Sequence, residues 1–346
     1  MSDISKVDKN FKVDTKISAE DIEFINADSE VFEIFGIFKA DGMYRRLPES
    51  VAKNVSPGVH GLHAHTAGGR VRFLTDSPYV AINVKMGDIG KMPHFALTGS
   101  AGFDLYVDNK YCKSFVPPFD ISEGYESIVN FSDSNLREIT INFPLYSEVK
   151  ELYIGLKKGS VIKKAKRYKN EKPVVYYGSS ITQGGCASRP GSSYQAIVSR
   201  KLNLDFVNLG FSGSAKAEDE IVEYIKNIPM SVFVYDYDYN APDASYLKAT
   251  HEKMFKAIRE AQPELPVIMM VRPSFSIDCE RDERYGIIKT TYENALKKGD
   301  KNVYFIDNKA LTKLCLDEGT VDSCHPTDLG FYSMAEAVYE VMRDII

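Results

Sequence analysis

Apolar positions along this chain follow two different rhythms, and the change from one to the other falls near residue 165. Before it, helical spacing is rare. Short runs over residues 31–40, 70–73, 79–85, 103–107, 138–143 and 151–156 are rich in β-branched and aromatic side chains. Clusters of Gly, Pro, Asn and Asp separate them, as in an antiparallel sandwich or jelly roll, so residues 20–160 read as all-β. Residues 157–172 are dense in lysine and, after Ile162, poor in large apolar residues, which is the composition of a solvated connection between domains.

Beyond that connection, strand-like runs at 173–177, 205–209, 231–236, 266–271 and 303–306 alternate with stretches of helical spacing, notably 246–261 and 285–298. This alternation predicts a parallel sheet with helices on both faces. A last helix over 328–346 is expected to dock on the sheet through Leu329, Met334, Ala337, Val338 and Val341. The expected organisation is therefore two domains, a β-sandwich over 1–165 and an α/β domain over 166–346.

Composition narrows the function. A chain of 346 residues carries ample apolar content for real cores. A net charge of −5 and a pI near 5.8 give no general attraction to nucleic acid or to an anionic membrane. The first residues lack the apolar centre of a signal peptide, and no run is long enough to span a bilayer, so a soluble cytoplasmic protein is expected. Five scattered cysteines (Cys112, Cys186, Cys279, Cys315, Cys324) form no C-x-x-C pair, so reduced thiols are expected, with no disulfide framework, zinc site or other cofactor. The number of chains in the assembly is left open, a homo-oligomer included.

The run Val174-Val175-Tyr176-Tyr177 stops abruptly at Gly178-Ser179-Ser180. A hydroxyl serves as an acyl-transfer nucleophile only where a tight turn holds it beside unpaired N–H groups and within reach of a base. In an open parallel sheet such groups gather at the carboxyl ends of the strands. Three further segments end there. In Asn208-Leu209-Gly210-Phe211-Ser212-Gly213, Gly213 can turn its N–H toward an oxyanion. In Asp236-Tyr237-Asp238-Tyr239-Asn240, the Asn240 amide can donate to the same oxygen. Asp322-Ser323-Cys324-His325 then supplies a carboxylate and an imidazole just ahead of the last helix.

These four segments, in this order, resemble the SGNH (GDSL-like) hydrolase family. Gly178-Ser179-Ser180-Ile181-Thr182 is similar to its nucleophile block, and Gly102-Phe103-Asp104-Leu105-Tyr106 to the Gly-x-Asp-Leu-Tyr signature of a branch with an N-terminal β-sandwich. The resemblance implies a flavodoxin-like three-layer α/β/α domain preceded by a jelly-roll-like sandwich. It makes Ser180 the nucleophile, His325 the base and Asp322 its orienting acid, with Ser180, Gly213 and Asn240 forming the oxyanion hole. Two positions depart from the pattern: Ser179 stands where most of the family has aspartate, and Asp238 stands where the third block opens with glycine.

Other residues are weighed against plainer roles. His60, His63 and His65 suggest metal ligands, with His63 and His65 on one face of a strand, but the expectation is a polar β-loop of the sandwich, with a loop that reaches across to border the active-site cleft as the intermediate reading. Cys186 and Cys324 neighbour the candidate site and are expected to pack. Arg189, Tyr194 and Arg272 are candidates for the pocket mouth, the arginines having structural ion pairs as the alternative. Asp236 and Asp238 are expected to bind local N–H groups. The absence of tryptophan disfavours a stacking platform for long polysaccharides. The function expected is hydrolysis of short acyl esters, acetyl groups on carbohydrate foremost by resemblance, with a small-molecule ester as partner. The competing readings are an acyltransferase using the same triad and a non-catalytic carbohydrate-binding protein.

Overall fold

The computed structural model describes residues 4–8, 12–13, 17, 19–275 and 282–346. Cys279 lies outside the described residues. The N-terminal half builds two antiparallel sheets. One runs β1 (Ile22–Asn26), β11 (Ser147–Lys157), β6 (Tyr79–Ile89), β9 (Gly124–Asn130). The other runs β12 (Ile162–Lys163), β5 (Arg70–Thr75), β10 (Arg137–Asn142), β7 (Phe103–Val107), β8 (Lys110–Phe115), with β2 (Glu33–Phe35) also on β5. A hairpin, β3 (Phe38–Ala40) with β4 (Met43–Arg45), stands beside them. Alternate residues of both sheets meet in one core: Val80, Ile82 and Val84 face Phe103, Leu105, Ile139 and Ile141. This is the alternation that the short β-rich runs predict.

The second half is a five-stranded parallel sheet in the order β14 (Phe206–Gly210), β13 (Val174–Gly178), β15 (Val232–Asp236), β16 (Val267–Met270), β17 (Val303–Ile306). Counted within the sheet, that is order 2-1-3-4-5, the flavodoxin-like arrangement with its switch point beside β13. The strands β13, β15 and β16 are buried throughout, which is why they read as continuous apolar runs. On one face, α6 (Asp219–Lys226), α7 (Ala244–Ala261) and α8 (Glu283–Lys297) enclose a core around Val175, Phe233 and Met269. On the other, α5 (Tyr194–Leu202), α9 (Asn308–Leu311) and α10 (Asp328–Met342) enclose one around Val174, Tyr176 and Ile268. α10 docks through Phe331, Met334, Ala335, Val338 and Met342, whereas Leu329, expected on the packed side, is exposed.

Three expectations need correction. The region 20–160 is not all-β, since α1 (Glu49–Val55), α2 (Pro57–Leu62) and α3 (Leu97–Ser100) interrupt it. Ala52 of α1 and Val59 of α2 are buried in the core of the parallel-sheet half, the one that holds Ile221 and Phe211. The connection over 157–172 is not simply a solvated linker. Ile162 and Lys163 pair with β5, and the ring of Tyr168 lies 4.0 Å under the Arg72 guanidinium. The run 31–40 is two strands rather than one, β2 and β3.

Arg46 joins the halves. Its side chain is buried and donates to four backbone carbonyls: His65 (2.6 Å), Leu62 (2.8 Å), Gly210 (2.6 Å) and Asn208 (3.1 Å). Burial pulls its pKa down to about 9, which leaves it charged at neutral pH. Truncation would orphan carbonyls that water cannot reach, each at about 1–3 kcal/mol. Arg46→Met is therefore expected to destabilise the protein by about 4 kcal/mol, read as a fall in denaturant midpoint with unchanged slope.

Candidate active site

β13 ends at Gly178, and the chain turns at once into α4 (Ser180–Gln183). Ser179 makes the turn: its hydroxyl accepts the Ile181 N–H at 3.2 Å, an N-cap bond, and this puts Ser180 at the first helical position. The carboxylate that Ser179 lacks comes from the next strand. Asp236, in register opposite Gly178, is buried, and its carboxylate accepts the Thr182 hydroxyl and the Ser179 N–H. Burial raises its pKa well above the usual carboxylate range. A Cβ on Gly178 would collide with Asp236 and Thr182, so the strand must end in glycine for the two to meet. The expectation that Asp236 binds local groups holds in this geometry. Asp238 is buried too, pushed up to about 6 by burial, with Oδ2 3.4 Å from the Arg272 N–H.

Ser180, Asp322 and His325 come together from points far apart in the chain. Ser180 Oγ lies 3.0 Å from His325 Nε2, and His325 Nδ1 lies 2.7 Å from Asp322 Oδ2. The other carboxylate oxygen, Oδ1, accepts the N–H groups of Cys324 (3.0 Å) and His325 (2.7 Å). Burial pushes the Asp322 pKa up, but the bonds from His325 and Cys324 outweigh it and hold the carboxyl below its usual value. The loop itself is pinned by the His325 carbonyl, which accepts from the Thr320 hydroxyl (2.9 Å) and the Val321 N–H (3.0 Å).

The Gly213 turn is tied to both neighbours. Gln183 of α4 accepts the Ser212 N–H at 3.0 Å. The Phe211 carbonyl accepts the N–H groups of Ser214 and Ala215 and, at 2.9 Å, the side-chain amide of Asn240. Gly213 has φ +66°, the left-handed region that glycine enters at least cost, and a Cβ there would meet nothing. No described acceptor takes the N–H of Ser180 or of Gly213, and the Asn240 amide keeps a second N–H beyond the one given to Phe211.

Several contributors were not legible beforehand. Tyr146, from the N-terminal half, donates to the Ser180 carbonyl at 3.1 Å. Gln183 donates to Leu145 O (3.2 Å) and approaches His65 Nδ1 at 3.1 Å. Burial, with Arg46 beside it, drops the His65 pKa to about 3, so this ring is neutral and can accept. His94, exposed in the loop after β6, places Nε2 3.7 Å from Asp322 Oδ2. Of these only His65 lies in a run that the sequence singles out, and each acts through a position that only the packing of the two halves defines.

The histidine run differs from expectation. His60 lies in α2 and His63 caps it, so His63 and His65 do not share a strand face, and the run is not a β-loop. The rings of His60 and His63 stack at 5.3 Å, and His63 Nε2 meets Arg45 at 3.2 Å. The donor cluster found among the described residues is a different one, His94, Cys186 and His325. Cys186 and Cys324 are half-buried. Tyr194 does not line a mouth: it is buried, its ring 5.6 Å from Tyr176. Arg189 bonds Tyr106 (3.1 Å) and Ser192 (2.6 Å), and Arg272 pairs with Asp282, the structural roles weighed for them. Asp104 of the Gly-x-Asp-Leu-Tyr segment is buried, accepting the Asn142 amide (2.7 Å) and the Gly191 N–H (2.8 Å). The surface depression lined by Glu252, Phe255 and Arg259 lies along α7, apart from this centre.

An order 2-1-3-4-5 sheet with a serine–imidazole–carboxylate cluster at its carboxyl edge, behind an antiparallel β-rich half, is the architecture of an SGNH-type hydrolase. A sequence model of the GDSL-like lipase/acylhydrolase family matches residues 171–343, and one of the N-terminus of SGNH-hydrolase-type esterases, GxDLY, matches residues 22–162; the chain belongs to this family of carboxylic ester hydrolases. It is similar in structure to a protein of Bacteroides ovatus described as a GDSL-like lipase, at 28% identity and TM-score 0.82, over 94% of this chain and 98% of that one. A salicylyl-acyltransferase from a tetracycline biosynthetic pathway (20%, TM-score 0.75) and a family two carbohydrate esterase from Cellvibrio japonicus (11%, TM-score 0.63) share the fold over the same 94% of this chain and 98% of theirs. Comparison with curated protein sequences gave no significant match. Among the described residues, no helix is long and apolar enough to cross a membrane.

Proposed function

We propose that the protein is a serine esterase for short acyl esters, acetyl esters of carbohydrates foremost, working through Ser180, His325 and Asp322. The observation that carries this reading is the relay from Ser180 Oγ to His325 Nε2 (3.0 Å) and from His325 Nδ1 to Asp322 (2.7 Å). His325 takes the Ser180 proton as Oγ attacks the ester carbonyl, and Asp322 stabilises the imidazolium. The oxyanion that forms accepts from the N–H groups of Ser180 and Gly213 and from the Asn240 amide. His325 returns the proton to the departing alcohol, and water repeats the cycle on the acyl-enzyme.

Asn240→Ala removes one donor of three and is expected to lower kcat by about 10²–10³-fold with little change in KM, measured by steady-state kinetics. The carbohydrate part draws on the carbohydrate esterase that shares the fold, the acetyl part on the family resemblance of the sequence alone, and the two are tested separately. Hydrolysis of p-nitrophenyl esters of increasing acyl length should fall from acetate onward, and acetylated sugars should release acetate. Turnover that rises with chain length would overturn the short-acyl reading. Adding an alcohol acceptor distinguishes hydrolysis from transfer, the activity named for the acyltransferase neighbour; an ester product formed in place of acid would replace the hydrolase reading.

A further inference from the structure

We propose that the same site binds one borderline-to-soft divalent metal ion, zinc or its close analogues, through His94, Cys186 and His325, and that the ion switches the enzyme off. One donor atom from each of the three side chains, either ring nitrogen counting for a histidine, lies within 4.8 Å of the other two. A tetrahedral zinc site with bonds of about 2.0–2.3 Å sets its nitrogen and sulfur donors roughly 3.3–3.6 Å apart, so closure requires movements of up to about 1.5 Å. His94 can supply them, because its side chain is 42% exposed.

The surroundings favour a cation. Asp322 carries the local negative charge and lies 3.7 Å from His94 Nε2 and 2.7 Å from His325 Nδ1. A carboxylate on the far nitrogen of an imidazole fixes its tautomer and makes it a better ligand. Two imidazoles and a thiolate select zinc, cobalt or cadmium over magnesium and calcium, which prefer oxygen. Burial, with the Asp322 charge nearby, pushes the Cys186 thiol up to about 12, so it begins protonated. Binding exchanges that proton for the metal: the S–H bond breaks, the sulfur lone pair forms the metal bond, and the proton leaves to solvent.

The consequence follows from the ring nitrogens. His325 Nδ1 is committed to Asp322, so the lone pair it can offer an ion is on Nε2, which faces Ser180 Oγ at 3.0 Å. An ion there occupies the lone pair that would accept the Ser180 proton. Inhibition thus rests on the esterase reading above; binding does not.

The test titrates the full chain, stripped with EDTA, with Co²⁺ and follows the thiolate-to-cobalt charge-transfer band in the near ultraviolet. Wild type and Ser180→Ala should both develop it at one equivalent, Zn²⁺ should abolish it, and Cys324→Ala should keep it. Cys186→Ala should lose it, and His94→Ala should weaken binding at least about ten-fold, since losing a direct ligand costs no less than losing a partner behind one. In parallel, the ester hydrolysis of wild type and of the cysteine and His94 variants with Zn²⁺ is divided by the metal-free rate of the same protein. Wild type should be inhibited and recover with EDTA, whereas Cys186→Ala should need at least about ten-fold more zinc. No band in wild type, or a band that survives Cys186→Ala, overturns the site. A band of the expected pattern with zinc-insensitive hydrolysis overturns the switch. A band of the expected pattern in a protein that hydrolyses no ester leaves the metal site standing and overturns the esterase reading instead.

Discussion

Ser180→Ala is expected to lower kcat for a p-nitrophenyl acetate substrate by about a million-fold, to a remnant supplied by binding and the oxyanion donors alone. The substitution removes one oxygen and keeps the Cβ, so the turn survives. The caps and braces around it use other atoms: the Ser179 hydroxyl bonds Ile181, Tyr146 bonds the Ser180 carbonyl, and Asp236 bonds Thr182. The thermal midpoint should therefore stay close to wild type while activity disappears. That separation matters, because a variant that lost activity by unfolding would say nothing about the hydroxyl. The contrast with Asn240→Ala is equally informative. Losing one donor costs about 3 kcal/mol of barrier and losing the nucleophile several more. Equal losses from both, or a Ser180→Ala enzyme within ten-fold of wild type, would remove Ser180 from the chemistry.

Why the Ser180 turn was legible in the sequence and its supports were not comes down to what kind of partner each residue has. Val174 to Tyr177 form a strand buried on both faces, and such a strand must be apolar throughout, so its end at Gly178 stands out from the composition alone. The Asp322–His325 pair is local, four consecutive residues folding on themselves, and its spacing already allows one carboxylate to meet both the backbone and the ring. Tyr146 and His65 act on α4 from another half of the molecule, one through a backbone carbonyl that any residue could offer and one through Gln183. No spacing rule marks such contacts.

The helices α1 and α2 were missed for a related reason. Pro57, Gly58 and Gly61 lower the helical propensity across 49–62 and mask a stripe that is nonetheless there, Val51, Val55, Val59 and Leu62 with Ala52 beside it. They are helical because that stripe packs into the core of the other half, the one that holds Ile221 and Phe211. Local propensity there yields to packing, and the packing partner lies more than 150 residues away in the chain. Arg46 shows the same logic with charge. Its four carbonyl acceptors include Asn208 and Gly210 at the end of β14, so the residue that looks like a surface cation in the sequence is a buried bracket behind the Gly213 turn.

The Asp322 geometry sharpens into the second large effect. In Asp322→Asn the side-chain oxygen must stay with the Cys324 and His325 N–H groups, which can only donate, at the positions now 3.0 and 2.7 Å from Oδ1. The amide NH₂ then faces His325 Nδ1 where Oδ2 now accepts at 2.7 Å. A donor opposite Nδ1 forces that nitrogen to accept, which moves the ring proton to Nε2 and points an N–H at Ser180 Oγ. The base has lost its lone pair although every heavy atom is in place, so kcat should fall by about 10⁴-fold with little change in KM or stability. Nitrogen-15 chemical shifts of the His325 ring should report the reversed tautomer directly. Wild-type tautomer in the variant, or a loss of less than ten-fold, would mean that Asp322 only pins the loop and that the imidazole orients itself by other contacts.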